Sequence, residues 1–572
     1  MSWIQAIALD LDGTISSNDD VSPTVMEALR VARYRRVRLL LVTGRTVRAV
    51  REVFPGLIDV FDVVVAENGA VLFVDGVGRL LAEPVSHTLS DALEEDGIPL
   101  HRGEVLLATS AAHDEAVLRK ITDLGLDCAL LRNRGELMIL PAGVSKGSGL
   151  LAALNLLGLS SHNVMAVGDA ENDHAMFELA ELAAAPANAV PSIKEHADLV
   201  LPLPNGEGVA ELLMGVVTSG EQRPVSDRRQ MPIGTFPDGS PALVPSGNAT
   251  AIVVGGSGRG KSYLAGLMAE QLIDRRYQIL FIDPQGEQSS LRDQPGVDII
   301  KVAVPADARR SVAGLRSGHT VVLDLSSVDP DQVPDVLRSL TEPIAALRAE
   351  SGIPQWIFID EAHDLMGSAG PLRTLFDPTA GGHCLITYRP EQLSAEVLAD
   401  VDIVLSVSPP IDQVMGTINQ PASGLPFAVN GQASMLRSDR AESAQPFIMA
   451  TRSSAHQRHQ RKYAQNVMAV GKGFRFRTAG PQVLPEARSV EQFRAQLQQV
   501  GPDTLGWHLS RGDLSRWLAE VVQDRELADH VARLERDVAR RQQTEISRAR
   551  HEIIRAIDAR YFSGPRVAAA RM

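Results

Sequence analysis

Cysteine is almost missing from this chain: Cys128 and Cys384 are the two examples in 572 residues. They stand too far apart for a CxxC site, and so few thiols exclude a disulfide framework. The expectation is a reduced, cytoplasmic setting. No apolar run approaches the roughly 20 residues that cross a bilayer, so a membrane partner is excluded from the reading. The opening "MSWIQAIALDLDG" turns into a strand pattern at once and leaves no room for a signal peptide. Tandem repeats and extended low-complexity tracts are absent too. A net charge of −14 argues against indiscriminate nucleic-acid binding by the whole surface, while leaving room for a local basic patch.

What is present is ordinary globular composition, with 44% hydrophobic and 22% charged residues. The length predicts several domains, about four at typical sizes. From residue 1 to about 216, β-branched runs such as "WIQAIALDLD", "RVRLLLVTG", "DVVVAENGA" and "HNVMAVGDA" alternate with helical patterns. This alternation predicts a parallel sheet covered by helices. Smaller units between about 72 and 140 read as an inserted α/β lid. A Pro-, Gly- and Ser-rich stretch from 217 reads as a linker, and a second α/β series follows it. Beyond about 450 the pattern is helical and charged.

"LDLDGTIS" ends the first apolar run on two acids. Residues i and i+2 of a strand face the same way, so Asp10 and Asp12 converge where the strand leaves its sheet. Ligands bind at that carboxyl edge in open α/β sheets. Three later strand ends or turns deliver Thr43, Lys146, Asp169 and Asp173 to the same edge. Like charges about 4 Å apart repel by roughly 4 kcal/mol at an effective dielectric of 20. A hard divalent cation resolves that conflict, and oxygen-only ligands favour Mg²⁺. Thr43 and Lys146 are then free to bind phosphate oxygens. Asp10 reads as the nucleophile and Asp12 as the acid and base.

"DLDGT", "TGR", the lysine of "SKGSG" and "GDAEND" resemble, in order, the four motifs of the haloacid dehalogenase (HAD) phosphohydrolases. "ENGA" and "APANAVPSIKEHAD" are similar to its Cof-like branch, with phosphoglycolate and sugar phosphatases. The resemblance implies a Rossmann-like core over 1–71 and 141–216 with an α/β cap over 72–140. It implies Mg²⁺ held by Asp10, the Asp12 backbone carbonyl, Asp169 and Asp173, and a small phosphorylated metabolite as substrate. Asp173 has a second reading, orienting Lys146.

"VVGGSGRGKSY" lies between the apolar run "ATAIVV" and a helical pattern and fits G-x-x-x-x-G-K-[ST]. Its loop runs through Gly255, Gly256, Ser257, Gly258, Arg259 and Gly260 to Lys261 and Ser262. Backbone N–H groups and the helix N-terminus suit ATP phosphates, with Lys261 on the β/γ-phosphates and Ser262 on Mg²⁺. "WIFIDEAH" offers Asp360 for the metal-bound water and Glu361 for the attacking water. The set resembles the additional-strand P-loop ATPases of the HerA–FtsK group. That implies a RecA-like domain over 233–450 after a linker at 217–232, with Thr387 and Arg389 as candidate γ-phosphate sensors and a homo-oligomer through this domain. Gln285 stands where the resemblance leads one to expect glutamate.

Residues 451–572 form a basic segment and a helical module. His456 and His459 lack metal-spaced partners. Tyr463, Phe474 and Phe476 are interleaved with Arg and Lys, a mixture able to bind nucleic acid. A basic face docking onto this acidic protein, or an exposed helix face, is the favoured reading there, and nucleic acid the less favoured partner. Trp507, Leu514, Trp517 and Leu518 are expected to form a small helical core. The whole reads as α/β and multidomain, ending in helices.

Overall fold

The computed structural model describes residues 3–133, 135–215, 224–256, 259–367, 370–378, 380–407, 431–437, 444–453, 473–477, 485–522, 524–541, 545–558 and 561. It falls into two compact units, 1–456 and 457–572. Among the described residues no helix is long and apolar enough to cross a membrane.

The first sheet of the larger unit has eight strands. Its parallel part runs through β1 (Ala6–Leu9), β2 (Arg38–Val42) and β3 (Val63–Ala66). The antiparallel β4 (Val71–Val74) and β5 (Val77–Leu80) extend that edge. The inserted segment carries its own four-stranded antiparallel sheet: β6 (His101–Arg102), β7 (Leu107–Ser110), β8 (Cys128–Asn133) and β9 (Glu136–Pro141). β10 (Val164–Val167), β11 (Leu182–Ala185) and β12 (Leu199–Val200) complete the first sheet, in the order β12-β11-β10-β1-β2-β3-β4-β5.

β1 and β10 are buried along their whole length, which is why both read as unbroken apolar runs instead of alternating ones. The insert expected from residue 72 differs at its start, because residues 71–80 pair as a hairpin on the core sheet. Apolar Val71, Leu72 and Phe73 bury there against the core face and outweigh the similarity of this stretch to the small units that follow.

The second half of the 217–232 linker is anchored. Arg228 pairs with Asp198 at 2.6 Å, Ser226 donates to Asp198 at 2.7 Å, and Arg229 donates to the Ala180 carbonyl at 2.8 Å. β13 (Gln230–Thr235) and β14 (Pro241–Pro245) then begin an eleven-stranded sheet. Its parallel part contains β15 (Thr250–Val254), β16 (Ile279–Asp283), β17 (Val297–Lys301), β18 (Thr320–Asp324), β19 (Trp356–Ile359), β20 (His383–Thr387) and β21 (Ile403–Ser406). β22 (Gln432–Arg437) and β23 (Gln445–Met449) close the antiparallel edge. β20 lies between β15 and β19, as the additional strand of the HerA–FtsK resemblance implies.

The smaller unit is helical, with helices Val490–Gln499, Pro502–Ser510, Asp513–Trp517, Arg525–Arg541 and Ile546–Ile557. Leu514, Trp517 and Leu518 lie in its core, whereas Trp507 is 42% exposed. Arg511 covers the Trp507 ring, so an arginine supplies the partner that a core would have given. Phe474 and Phe476 are buried against Phe493, and their rings are closed to bases. Aromatic burial in a small core outweighs the basic neighbours that suggested stacking. His456, His459 and Tyr463 lie outside the described residues.

Candidate active sites

β1 and β10 are hydrogen-bonded neighbours, with Leu9 opposite Val167. Asp10 and Asp169 therefore leave the sheet side by side. Asp173 folds back from the short turn after β10, donating nothing and accepting the Asp169 and Ala170 N–H groups at 2.9 and 3.0 Å. That return requires Gly168, since a Cβ there would lie 2.4 Å from the Asp173 carboxyl carbon. The ligand oxygens of Asp10, Asp169 and Asp173 lie within 4.8 Å of one another, all buried.

Lys146 begins the helix Lys146–Leu157 and places Nζ 2.6 Å from both Asp10 Oδ1 and Asp173 Oδ1. Thr14 Oγ1 lies 3.3 Å from Asp10 Oδ2 and 3.2 Å from Asp169 Oδ1. Burial raises the Asp10 pKa well above the carboxylate range; Lys146 opposes this, while Asp173 and Asp169 add to it. Burial alone would lower the Lys146 pKa, but Asp10 and Asp173 together raise it. With all three carboxylates ionised, the one ammonium would leave two negative charges in this buried pocket. This donor set fits one hard divalent cation.

Asp12 points elsewhere. Its carboxylate is gripped by Arg45 through Nε at 2.8 Å and Nη2 at 2.6 Å, and Arg45 also reaches Asp19. The Asp12 side chain is thus not one of the three gathered acids, which leaves its backbone carbonyl as the donor the sequence implies. Thr43, on the neighbouring strand end, is buried and accepts the Arg45 N–H at 3.1 Å.

The insert is fastened over this edge from below. Glu67 accepts the backbone N–H groups of Glu104, Val105 and Leu106 at 2.8, 2.9 and 3.1 Å. Met138 of β9 reaches Asn68, and Asn172 donates to Asn68 at 3.0 Å. Asn188 donates to the Gly13 carbonyl at 2.8 Å. Thr14, Arg45, Glu67, Asn172 and Asn188 were not singled out from the sequence. All but Asn188 and Thr14 sit inside or beside the quoted motifs "TGR", "ENGA" and "GDAEND"; Thr14 closes "DLDGT" and Asn188 lies in "APANAV". Thr14, Asn172 and Asn188 look like turn chemistry until the strands bring them together.

In the second sheet, Gly255, Gly256, Arg259 and Gly260 form the loop after β15, while Ser257 and Gly258 lie outside the described residues. Gly260 caps the helix Lys261–Asp274 at φ 111°, a conformation that favours glycine. Lys261 Nζ donates to the Gly256 carbonyl at 3.2 Å and stands 5.8 Å from the Tyr388 ring centre. Ser262 follows on the first turn, its carbonyl accepting from Gln288 at 2.9 Å.

Asp360 directly follows β19 and is buried; burial first, then Glu361, Asp283 and Glu287, raise its pKa. Asp283 at the end of β16 is pushed up to about 7, chiefly by burial. Glu361 adopts φ 50° and accepts from Gln285 Nε2 at 2.5 Å. The amide at 285 donates where a glutamate would add a further acid to this cluster. Thr387 Oγ1 lies 3.1 Å from His363 Nδ1 and accepts the Arg389 N–H at 3.0 Å. The Arg389 guanidinium stacks on Tyr388 at 4.9 Å. The His363 and Tyr388 rings meet edge to face beside these residues, with centres 4.4 Å apart.

Comparison with known proteins follows this division. A family model described as haloacid dehalogenase-like hydrolase matches residues 7–90 and 105–213. One described as helicase HerA, central domain, matches residues 250–365. The phosphoglycolate phosphatase of Archaeoglobus fulgidus is 33% identical over 218 residues, covering 36% of this chain and 95% of its own. Phosphoglycolate phosphatase 2 of Saccharolobus solfataricus is 31% identical over 216 residues, with 36% and 90% covered. Among solved structures, a Thermoplasma acidophilum protein aligns at 21% identity and a TM-score of 0.33, covering 36% of this chain and 96% of that one.

Proposed function

The chain belongs to the haloacid dehalogenase-like hydrolases, and from that membership we propose that its N-terminal half is a Mg²⁺-dependent phosphomonoesterase working through an aspartyl-phosphate. The observation that carries this reading is Lys146 bridging Asp10 and Asp173 beside Asp169, at the joint edge of β1 and β10. Asp10 attacks phosphorus, and the ester oxygen leaves with a proton from Asp12. Asp12 then takes a proton from the water that hydrolyses the phosphoenzyme. Arg45 holds Asp12 at the rim until substrate arrives. Thr43 and Lys146 bind phosphoryl oxygens, and Lys146 offsets the charge that develops there.

Mg²⁺, held by Asp10, the Asp12 carbonyl and Asp169, would supply charge neutralisation on the transferring group. Asp173 fits orientation of Lys146 better than direct ligation, because both its oxygens already accept hydrogen bonds. The substrate class is a small phosphorylated metabolite, with 2-phosphoglycolate the first to test. Chelator-stripped full-length protein should hydrolyse it only after Mg²⁺ is restored. Activity that survives stripping would refute the metal assignment.

The domain scheme, the roles of the P-loop residues and a cytoplasmic home belong to the same proposal. ATP binds the loop from Gly255 to Ser262; Asp360 and Glu361 support its hydrolysis, with Thr387 and Arg389 as sensors. The HerA central-domain match favours one second reading, a nucleic-acid motor with an accessory phosphatase. ATPase rates with and without DNA or RNA separate the two. No stimulation counts against the motor. A change of assembly size with ATP would instead identify a homo-oligomeric switch.

A further inference from the structure

The two halves of the larger unit meet along the N-terminal edges of their sheets. His162 stacks on Tyr277 at 3.6 Å and lies 2.8 Å from the Arg275 carbonyl. Both His162 and Tyr277 engage Glu181 Oε2, at 2.8 and 2.7 Å. Beside this seam lies a cleft of about 370 Å³, whose lining includes Trp3, Tyr277, Ala349, Leu375, Arg348 and Asp377. That volume falls within the range of small-molecule pockets, about 300–1,000 Å³. Neither candidate active site contributes to its wall.

The wall is largely apolar, and His162, Asn163 and Gln355 already hydrogen-bond across the seam. Beside Asp377, the wall carries one arginine, Arg348. Its guanidinium donates to the carbonyls of Pro354, Gln355 and Gly381 at 3.1, 3.4 and 2.7 Å and contacts His383 at 3.2 Å. The three carbonyls are uncharged acceptors, and among the described residues Arg348 has no ion pair. Burial lowers its pKa to about 10, with Asp377 opposing, so it stays a cation at neutral pH. A partly buried cation whose hydrogen-bond acceptors include three carbonyl oxygens gains from an anion placed against it. One arginine with Asp377 in the same wall does not suit a polyphosphate, whose several charges would meet that carboxylate.

We propose that this seam cleft is a binding site for a compact organic monocarboxylate, its apolar or aromatic body lying against Trp3, Tyr277 and Leu375 and its carboxylate facing Arg348. The site is separate from both phosphate-handling edges. Its wall also includes Asn163 and Gln355, so an occupant touches both halves at once.

The test uses the full-length chain and calorimetric titration with phenylacetate, indole-3-acetate and hexanoate. 2-Phenylethanol serves as the neutral counterpart and inorganic phosphate as the bare anion. The expected result is saturable one-to-one binding of at least one carboxylate, with 2-phenylethanol and phosphate at least tenfold weaker. Ala349→Phe, which fills the cleft, should weaken that binding at least tenfold while leaving phosphatase activity unchanged. Three results would each overturn the proposal: no saturable binding of any carboxylate below 10 mM, equal affinity for the alcohol, or binding indifferent to Ala349→Phe.

Discussion

Asn163 and Gln355 share a side-chain hydrogen bond of 2.8 Å that ties the root of β10 to the root of β19. Asn163 also donates to the Trp3 and Gly352 carbonyls at 2.9 and 3.3 Å. The far end of β10 delivers Asp169 and the far end of β19 delivers Asp360. At about 3.3 Å per residue, each acid lies on the order of 20 Å beyond the seam along its own strand. The two chemistries therefore face away from a shared base. Product handover between them is a poor fit, and mechanical support through the sheets a good one.

This bond should register in a double-mutant cycle. Asn163→Ala leaves buried acceptors without a donor and should cost about 1–3 kcal/mol. Gln355→Ala should cost a similar amount, and the pair should fall short of additivity by about 0.5–3 kcal/mol. Melting of the full chain measures all three. Full additivity would mean the residues act independently.

Lys146→Met should lower kcat by about 10²–10³. It also leaves Asp10, Asp169 and Asp173 without their internal cation, a loss of about 3–5 kcal/mol for a buried charge cluster. Added Mg²⁺ should recover more melting temperature in this variant than in the wild type. Equal Mg²⁺ shifts would show that Asp10 and Asp169 do not hold the ion.

Glu67→Ala removes the acceptor for three successive N–H groups at residues 104–106. The insert should then sit less firmly over the site. KM for a small phosphoester should rise several-fold with a smaller change in kcat, and cleavage near residue 104 by a protease should accelerate. Unchanged protection would show that the insert is held by its other contacts alone.

Much of this site was legible in advance because its acids stand at fixed offsets from fully buried strands, as Asp10 does after Ala6–Leu9. That β20 is a strand was likewise readable from the apolar run "HCLIT", while its place between β15 and β19 was implied only by the HerA–FtsK resemblance. The boundary near residue 72 was not, since a hairpin's apolar alternation does not say which sheet it joins. Arg45, Glu67 and Asn172 were hidden for a related reason. Their partners are distant in sequence, and nothing local marks Arg45 for Asp12 or Glu67 for residues 104–106. Trp507 shows the opposite error, an apolar ring counted into a core when an arginine covers it at the surface.

Asp283 gives a pH signature. Its folded pKa of about 7 lies above the ordinary carboxylate value, so the folded state holds a proton that the unfolded chain releases earlier. Its contribution is fully present below about pH 4 and is lost as pH rises through about 7, with a ceiling of about 4 kcal/mol. In metal-free, nucleotide-free buffer, the stability of wild type relative to Asp283→Asn should fall between those limits and level off above them. A flat difference would place the proton elsewhere.

The most direct measurement compares wild type with Asp10→Asn, both full length, in hydrolysis of 2-phosphoglycolate and p-nitrophenyl phosphate with saturating Mg²⁺. The account predicts activity in the wild type and a loss of at least about a thousandfold in kcat/KM for the variant. A correctly folded Asp10→Asn protein that turns over either ester at the wild-type rate would contradict it.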